Sequence, residues 1–457
     1  MTALWTSAEL AAATGGTASV DFQVSGVTFD SREVGPGDLF LALKGDATDG
    51  HRFLDSAFAA GAAGAIVSAQ TAQPHVMVED TVLALNAMAR ASRSRTSARI
   101  AGVTGSVGKT STKEALAAAL ARANKGAVHR SVKSYNNHTG VPLSLARMPA
   151  ASQFGVFEMG MSNAGEIAAL TRLVRPHVAL VTAIAPAHIE SLGSVEAIAD
   201  AKGEIFEALE PGGVAIIPFD TPYRDRLIAA ARPHAALIRT FGRGEGADIR
   251  AVEVVDTAGG TMVMAVLPDA ELSFTLAQPG DHWVSNAMAV LATVQAMGGD
   301  LAAAGLALGE MEGLAGRGAQ TRIKIGEASA LVIDESYNAN SASMAATLAV
   351  LGATPAKRRI AILGEMRELG SESERLHAGL APLVEAAGVD FALLVGDAMK
   401  PLVRALEGKV ETVHARDAAG ALETALAIVS GGDAILVKGS NAVGLGRVVA
   451  GLIDGQS

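Results

Sequence analysis

The chain has no cysteine among its 457 residues. That removes disulfides and thiolate metal sites and makes a reducing compartment, the cytoplasm, the expected setting. It also lacks any uninterrupted apolar run of the roughly 18–20 residues that a membrane span needs. The positive mean hydropathy of +0.31 comes from alanine, which marks helices rather than lipid contact. At the amino terminus, Met1-Thr2-Ala3-Leu4-Trp5 has no basic stretch ahead of an apolar core, so no secretory signal is read there. A formal net charge of −10 argues against a general nucleic-acid binder, which would show basic clusters. One hydrophobic core does not serve a chain of this length, so two to four domains are expected.

What is present is a phosphate-loop pattern. Ile100 to Val103 read as a buried strand, a helical pattern starts at Lys113-Glu114-Ala115-Leu116, and Thr104-Gly105-Ser106-Val107-Gly108-Lys109-Thr110-Ser111 lies between. Side-chain-free glycines let backbone N–H groups wrap phosphate oxygens at the positive end of the helix dipole. In such a loop Lys109 reaches the β/γ-phosphates and the Thr110 hydroxyl joins a Mg²⁺ shell. Gly102 stands one residue upstream of the usual first glycine. A glycine-rich capped helix without ligand is the plainer reading, but Gly-Lys-Thr in a strand-to-helix context favours nucleotide binding.

The polar run Ser92-Arg93-Ser94-Arg95-Thr96-Ser97 reads as a linker after a first domain of residues 1–97. That domain mixes short strands, residues 27–29 and 39–43, with a helix over 53–60. From 98 to 315 helices alternate with apolar strands (154–157, 178–184, 214–217), which predicts a doubly wound, mostly parallel α/β sheet. Residues 248–276 change to an antiparallel pattern around Ala258-Gly259-Gly260, and a long helix follows from about Ser285. A third, Rossmann-like α/β unit spans 316–457, with strands 331–333, 360–363, 391–395 and 434–437.

Ligands of open α/β sheets sit at the carboxyl ends of strands, where this chain carries Lys109, Glu158, His188, Asp334, Glu365 and Lys438. A bare buried carboxylate at Glu158 would be costly, which favours a partner such as a metal over a frayed surface glutamate. Taken alone, His188 reads as structural and Lys202 as a solvated helix lysine. Asp334 resembles a Walker B aspartate but lies far along the chain from the loop.

In order along the chain come Asp30-Ser31-Arg32, Pro36-Gly37-Asp38-Leu39-Phe40, Asp49-Gly50-His51, Asn136-Asn137, Ala187-His188-Ile189-Glu190 and Lys202-Gly203-Glu204-Ile205-Phe206. Asp334-Glu335-Ser336-Tyr337-Asn338-Ala339-Asn340, Gly364-Glu365-Met366-Arg367-Glu368-Leu369-Gly370 and Val437-Lys438-Gly439-Ser440 follow. Over nearly the whole chain these strings resemble the Mur ligase family, ATP-dependent amide-forming enzymes of peptidoglycan precursor synthesis. Tyr-Asn-Ala-Asn resembles its dipeptide-adding branch; the Asp-Asn-Pro-Arg string of the branch that adds the third residue is absent.

The resemblance implies that a nucleotide-linked muramoyl tripeptide and D-alanyl-D-alanine are the partners and ATP with two Mg²⁺ ions the cofactors. Thr110 and Glu158 would hold one ion, and His188 with a carbamylated Lys202 the other. Asn286 would bind adenine, Arg317 the phosphates and Asp334 the ribose. Ser31, Arg32 and Lys44 would hold the uridine diphosphate, and Asn136, Asn137 and Thr139 the muramoyl-peptide. Tyr337, Asn338, Asn340, Lys438 and Ser440 would form the substrate-facing surface of the third domain. A monomer that closes its domains before chemistry is expected.

Two departures stand out. Where the family reads His-Asn-x-x-Asn, this chain reads His282-Trp283-Val284-Ser285-Asn286, so Trp283 either stacks near adenine or packs the domain. The Asn-Ala-Asn string is followed by Ser341 instead of proline, which predicts a less rigid loop. Two competing readings fit less well. A regulatory P-loop switch should carry Asn-Lys-x-Asp, but Asn124-Lys125 precedes Gly126-Ala127. Folylpolyglutamate synthetase should lack both the first domain and Tyr337-Asn338-Ala339-Asn340.

Overall fold

The computed structural model describes residues 3–45, 48–187, 189–257 and 260–455. A nine-stranded sheet forms the centre. Its parallel part runs through Leu237–Gly242, Val214–Pro218, Val178–Val181, Arg99–Thr104, Phe154–Glu158 and Val128–Arg130. Alternate residues of these strands enter different cores: Ala101, Val103, Leu180 and Ile216 on one face, Ile100, Phe157, Val181 and Ile217 on the other. A strand buried on both faces needs apolar side chains at successive positions, which is why these segments read as continuous apolar runs. The antiparallel segment is not a free-standing sheet. Ile249–Thr257, Gly260–Leu267 and Ala270–Leu276 extend the central sheet from Leu237–Gly242, where Phe241 and Gly242 pair with Ile249 and Arg250. Thr257 pairs with Gly260; Ala258 and Gly259 lie outside the described residues.

The last third builds a six-stranded sheet on the same logic. Ala328–Glu335, Asp433–Lys438, Arg358–Gly364, Phe391–Val395 and Glu411–Ala415 are parallel, with Ala319–Ile325 antiparallel at one edge. Ile360, Leu393 and Ile435 face one core; Ala361, Leu394 and Leu436 face the other. The edge strands Ala319–Ile325 and Glu411–Ala415 escaped the sequence reading because they are short of apolar residues: at an edge only one face is buried.

Near the amino terminus a five-stranded sheet has Gly64–Val67 at its centre, with Asp38–Leu41 paired between it and the edge strand Gly26–Thr28. The expected linker is not one. The helix Thr81–Ser94 runs through Ser92 and Arg93, and both are buried. Arg93 donates from Nε to Val174 O and from Nη2 to Arg175 O, both at 2.8 Å, and meets Glu210 at 3.2 Å. Its polarity, which suggests solvent, instead satisfies carbonyls at the end of the helix Glu166–Val174. Trp5 adds a second tie, donating from Nε1 to Ala146 O at 2.8 Å beneath the Arg95 guanidinium, 3.7 Å from the ring centre.

Candidate active site

The phosphate loop leaves the strand Arg99–Thr104 and enters the helix Lys109–Ala123. Two glycines are required by space as well as by backbone. At Gly105 (φ +149°) a Cβ would lie 1.9 Å from Thr182 Oγ1, and at Gly108 (φ +81°) 2.8 Å from Asn286 Oδ1. No side chain caps the helix at Gly108, so its first N–H groups are left for an anion. Lys109 donates from Nζ to Gly105 O at 2.7 Å. Burial holds its pKa below the ordinary lysine value, against the opposing pull of Glu158.

Glu158 ends the neighbouring strand and is buried. Its Oε2 accepts the Thr110 hydroxyl at 2.9 Å and its Oε1 accepts Asn136 Nδ2 at 2.7 Å. Ser134 Oγ lies 3.3 Å from Thr110 Oγ1 and accepts Arg317 Nη2 at 3.1 Å. Arg317 also stands over the Tyr337 ring at 4.2 Å. Lys438, at the end of its strand, donates to Asn338 O at 3.0 Å and faces Glu335 at 3.5 Å. Burial pushes the Glu335 carboxyl up and the Lys438 ammonium down, and their mutual attraction opposes both.

These groups share a cavity of about 530 Å³ between the carboxyl ends of the central and carboxy-terminal sheets. Of the residues expected from sequence, the loop from Ser106 to Ser111 lines it, as do Asn136, Asn137, Glu158 and Asn286. From the third unit Arg317, Tyr337, Asn338, Asn340 and Lys438 line it too. Trp283 is both wall and core: it borders the cavity, is only 4% exposed and packs with Val284 and Ala287. The loop at Ser341 is set without a proline. Asn340 caps the helix Ser341–Ala353 in a reciprocal box with Ser343, which fixes the turn as a first-turn proline would.

Other expected residues lie apart from the cavity. Thr104 is buried in its strand. Asp334 spends its carboxylate internally, accepting Gly316 N at 2.7 Å and Ser336 Oγ at 2.6 Å. Ser440 is buried and accepts Arg367 N at 3.1 Å. Thr139 donates from Oγ1 at 3.1 Å to Oδ1 of the cavity-lining Asn137, which also accepts Gly140 N at 2.9 Å and so fixes the start of the helix Gly140–Ala146. In the amino-terminal sheet's loops Ser31 is half-buried, Lys44 exposed, and Arg32 clamps Asp30 through Nε and Nη2. That clamp holds the Asp30 carboxyl down at about 2. His188 lies outside the described residues.

Lys202 is the opposite of a solvated lysine: it is 1% exposed, in the last turn of the helix Val195–Gly203. Burial, reinforced by the like charge of Lys109, lowers its pKa well below the ordinary value. Sequence reasoning missed Ser134, Glu335 and Lys113. For Lys113 a signal existed, because it shares the helix face of Leu116 and Leu120, at offsets of three and seven, and both leucines are buried.

Three family models match: the Mur ligase family catalytic domain over residues 23–122, the Mur ligase middle domain over 103–294, and the Mur ligase glutamate ligase domain over 321–441. The chain is 36% identical over 386 residues to UDP-N-acetylmuramoyl-tripeptide–D-alanyl-D-alanine ligase of Escherichia coli strain K12, covering 82% of each chain. To the protein of that name from Synechocystis it is 36% identical over 444 residues, 95% of this chain and 93% of the other. Among solved structures, MurF from Acinetobacter baumannii superposes with a TM-score of 0.84 at 30% identity, covering 98% of this chain and 99% of that one. MurF from Thermotoga maritima in complex with ADP gives 0.78 at 27% identity, covering 94% and 97%. With this geometry and these relatives, the chain belongs to the Mur ligase family.

Proposed function

We propose that this ligase joins D-alanyl-D-alanine to a UDP-N-acetylmuramoyl tripeptide at the expense of ATP, in the synthesis of peptidoglycan precursor. The observation that carries the reading is the single cavity where Lys109, Thr110 and Glu158 of one sheet face Arg317, Tyr337 and Lys438 of another. In the reaction the tripeptide's terminal carboxylate attacks the γ-phosphorus, the β–γ bridging bond breaks, and ADP leaves. The dipeptide amine then attacks the acyl carbon and loses a proton, and phosphate departs as the amide forms. Lys109 and Arg317 offset charge on the transferring phosphoryl group, and closure of units 1–97, 98–315 and 316–457 keeps water from the acyl phosphate.

The donor set fits a hard divalent cation: a hydroxyl and a carboxylate oxygen, Thr110 and Glu158, lie in contact at the foot of the phosphate loop. Mg²⁺ held there would neutralise charge between the β- and γ-phosphates. For a second ion we assign His188 and a carbamylated Lys202. Carbon dioxide adds to the neutral amine, forming an N–C bond and releasing one proton, and burial of Lys202 favours that neutral amine. Ser31, Arg32 and Lys44 are assigned to the uridine diphosphate. Asn286 is assigned to adenine, Asp334 to organising the ribose-side turn, and Asn340 and Ser440 to the dipeptide side. The working unit is a monomer of the cytoplasm, a setting supported by the absence of cysteine.

Phosphate release tests the reading directly. It requires tripeptide and ATP and proceeds to full turnover only with D-alanyl-D-alanine; ATP hydrolysis by the protein alone, unchanged by both substrates, would overturn it.

A further inference from the structure

Lys113 lies one helical turn after Lys109 and is fully buried. Its ammonium donates to Ser131 O at 2.8 Å and Lys133 O at 2.7 Å, and pairs with Glu114 at 2.8 Å. Glu158 Oε2 stands 4.0 Å away. Burying a charge this deeply is costly unless each proton finds an acceptor, and here each does.

The two carbonyls belong to one short segment, residues 131–137, which touches Thr110, Glu158 and Arg317 of the cavity wall. Ser131 Oγ accepts Glu158 N at 3.2 Å. Ser134 touches Thr110 and Arg317, and Asn136 donates to Glu158. Lys133 and Tyr135 both bind Glu33 of the amino-terminal unit, Tyr135 Oη at 3.1 Å. Lys133 takes a left-handed backbone, φ +50°, a conformation a non-glycine residue keeps only where its surroundings hold it. The hydrogen bond from Lys113 to its carbonyl is such a hold.

We propose that Lys113 is a positioning residue of the phosphate site. By fixing the carbonyls of Ser131 and Lys133 it sets Ser134 and Asn136, and through them the Thr110 hydroxyl and the Glu158 carboxylate. The inference rests on Thr110 and Glu158 holding the divalent cation.

The test measures ADP binding calorimetrically across a Mg²⁺ series, together with steady-state turnover, for Lys113→Met, Ser134→Ala and Thr110→Val. Lys113→Met keeps an unbranched side chain one atom shorter but loses the donors. It raises the Mg²⁺ needed for half-maximal ADP binding and lowers kcat, each by about tenfold or more, as loss of support behind a metal ligand does. KM for D-alanyl-D-alanine stays within about twofold, since that substrate contacts other residues. A merely structural lysine would lower the melting temperature and leave the Mg²⁺ curve of the folded enzyme unmoved, which overturns the proposal. If Lys113→Met does not fold, Ser134→Ala decides: a shifted Mg²⁺ curve at unchanged melting temperature supports the positioning role, an unshifted one overturns it. Thr110→Val separates the two levels. An unchanged Mg²⁺ requirement there removes the cation reading and the proposal with it, whereas a raised requirement beside a normal Lys113→Met removes the proposal alone.

Discussion

The Thr110 hydroxyl donates to the Glu158 carboxylate at 2.9 Å across 48 residues of sequence. The contact joins the first turn of the phosphate helix to the end of the adjacent strand, because Phe154–Glu158 pairs directly with Arg99–Thr104 in parallel register. Parallel neighbours end at the same edge, so strand pairing alone brings a loop hydroxyl and a buried carboxylate together.

Lys109→Ala removes the charge proposed to face the transferring phosphoryl group and is expected to cut kcat at least a hundredfold, about 3 kcal/mol of barrier. Thr110→Val weakens Mg²⁺-dependent turnover while sparing the fold. Steady-state kinetics with full substrates check both, and wild-type rates in both would remove the phosphate-loop assignment.

For Lys202 the expected outcome is sharper. Lys202→Arg keeps a long basic side chain but forms no carbamate, so ligase turnover is lost while ADP binding through the phosphate loop persists. Because Lys202 is 1% exposed, melting temperature is measured alongside to separate misfolding from loss of the ligand. A folded Lys202→Arg enzyme with normal turnover in carbon-dioxide-free buffer returns this lysine to a packing role.

The strand cores were legible because a doubly covered sheet writes itself as apolar runs, as in Phe391–Val395, which matches the expected span. The loop from Gly105 to Thr110 was legible because its chemistry is local: two glycines, a lysine and a threonine at fixed offsets. What escaped depends on distant partners. Arg93 reads as solvent until the carbonyls of Val174 and Arg175 are in place. Lys113 shares a helix face with Leu116 and Leu120, but its acceptors are supplied by the distant segment 131–137, and Asp334 offers a free carboxylate until Gly316 and Ser336 take it.

Trp283 stands in both the core and the cavity wall, so its substitution has two separable effects. Trp283→Asn leaves a void and buries an amide, lowering stability by about 3–5 kcal/mol. It also raises KM for ATP, because the indole shapes the wall beside Asn286. Thermal unfolding reads the first and ATP titration of the folded variant the second; an unchanged KM with lowered stability assigns Trp283 to packing alone.

Acid sensitivity follows from His129. Its Nε2 lies 2.7 Å from Ser144 O and its ring packs 5.8 Å from Phe157. Burial pushes its pKa down to about 4 from the ordinary 6.5, outweighing the Ser144 carbonyl, with Arg147 and Arg130 adding to the depression. Between pH 6.5 and 4 the unfolded chain therefore binds a proton that the folded chain refuses. The stabilisation is complete above 6.5, declines as pH falls, and declines no further below about 4. One such proton contributes a slope of at most about 1.4 kcal/mol per pH unit. His282, also pushed down to about 4 by burial and by Lys438, adds in the same direction. His129→Gln keeps a donor for Ser144 O but does not titrate, while His282 and the carboxylates contribute equally to both proteins. Urea unfolding from pH 7.5 to 4.5 thus shows a shallower loss of stability in His129→Gln than in the wild type. Parallel curves would mean that His129 takes up its proton in the folded protein as readily as in the unfolded chain.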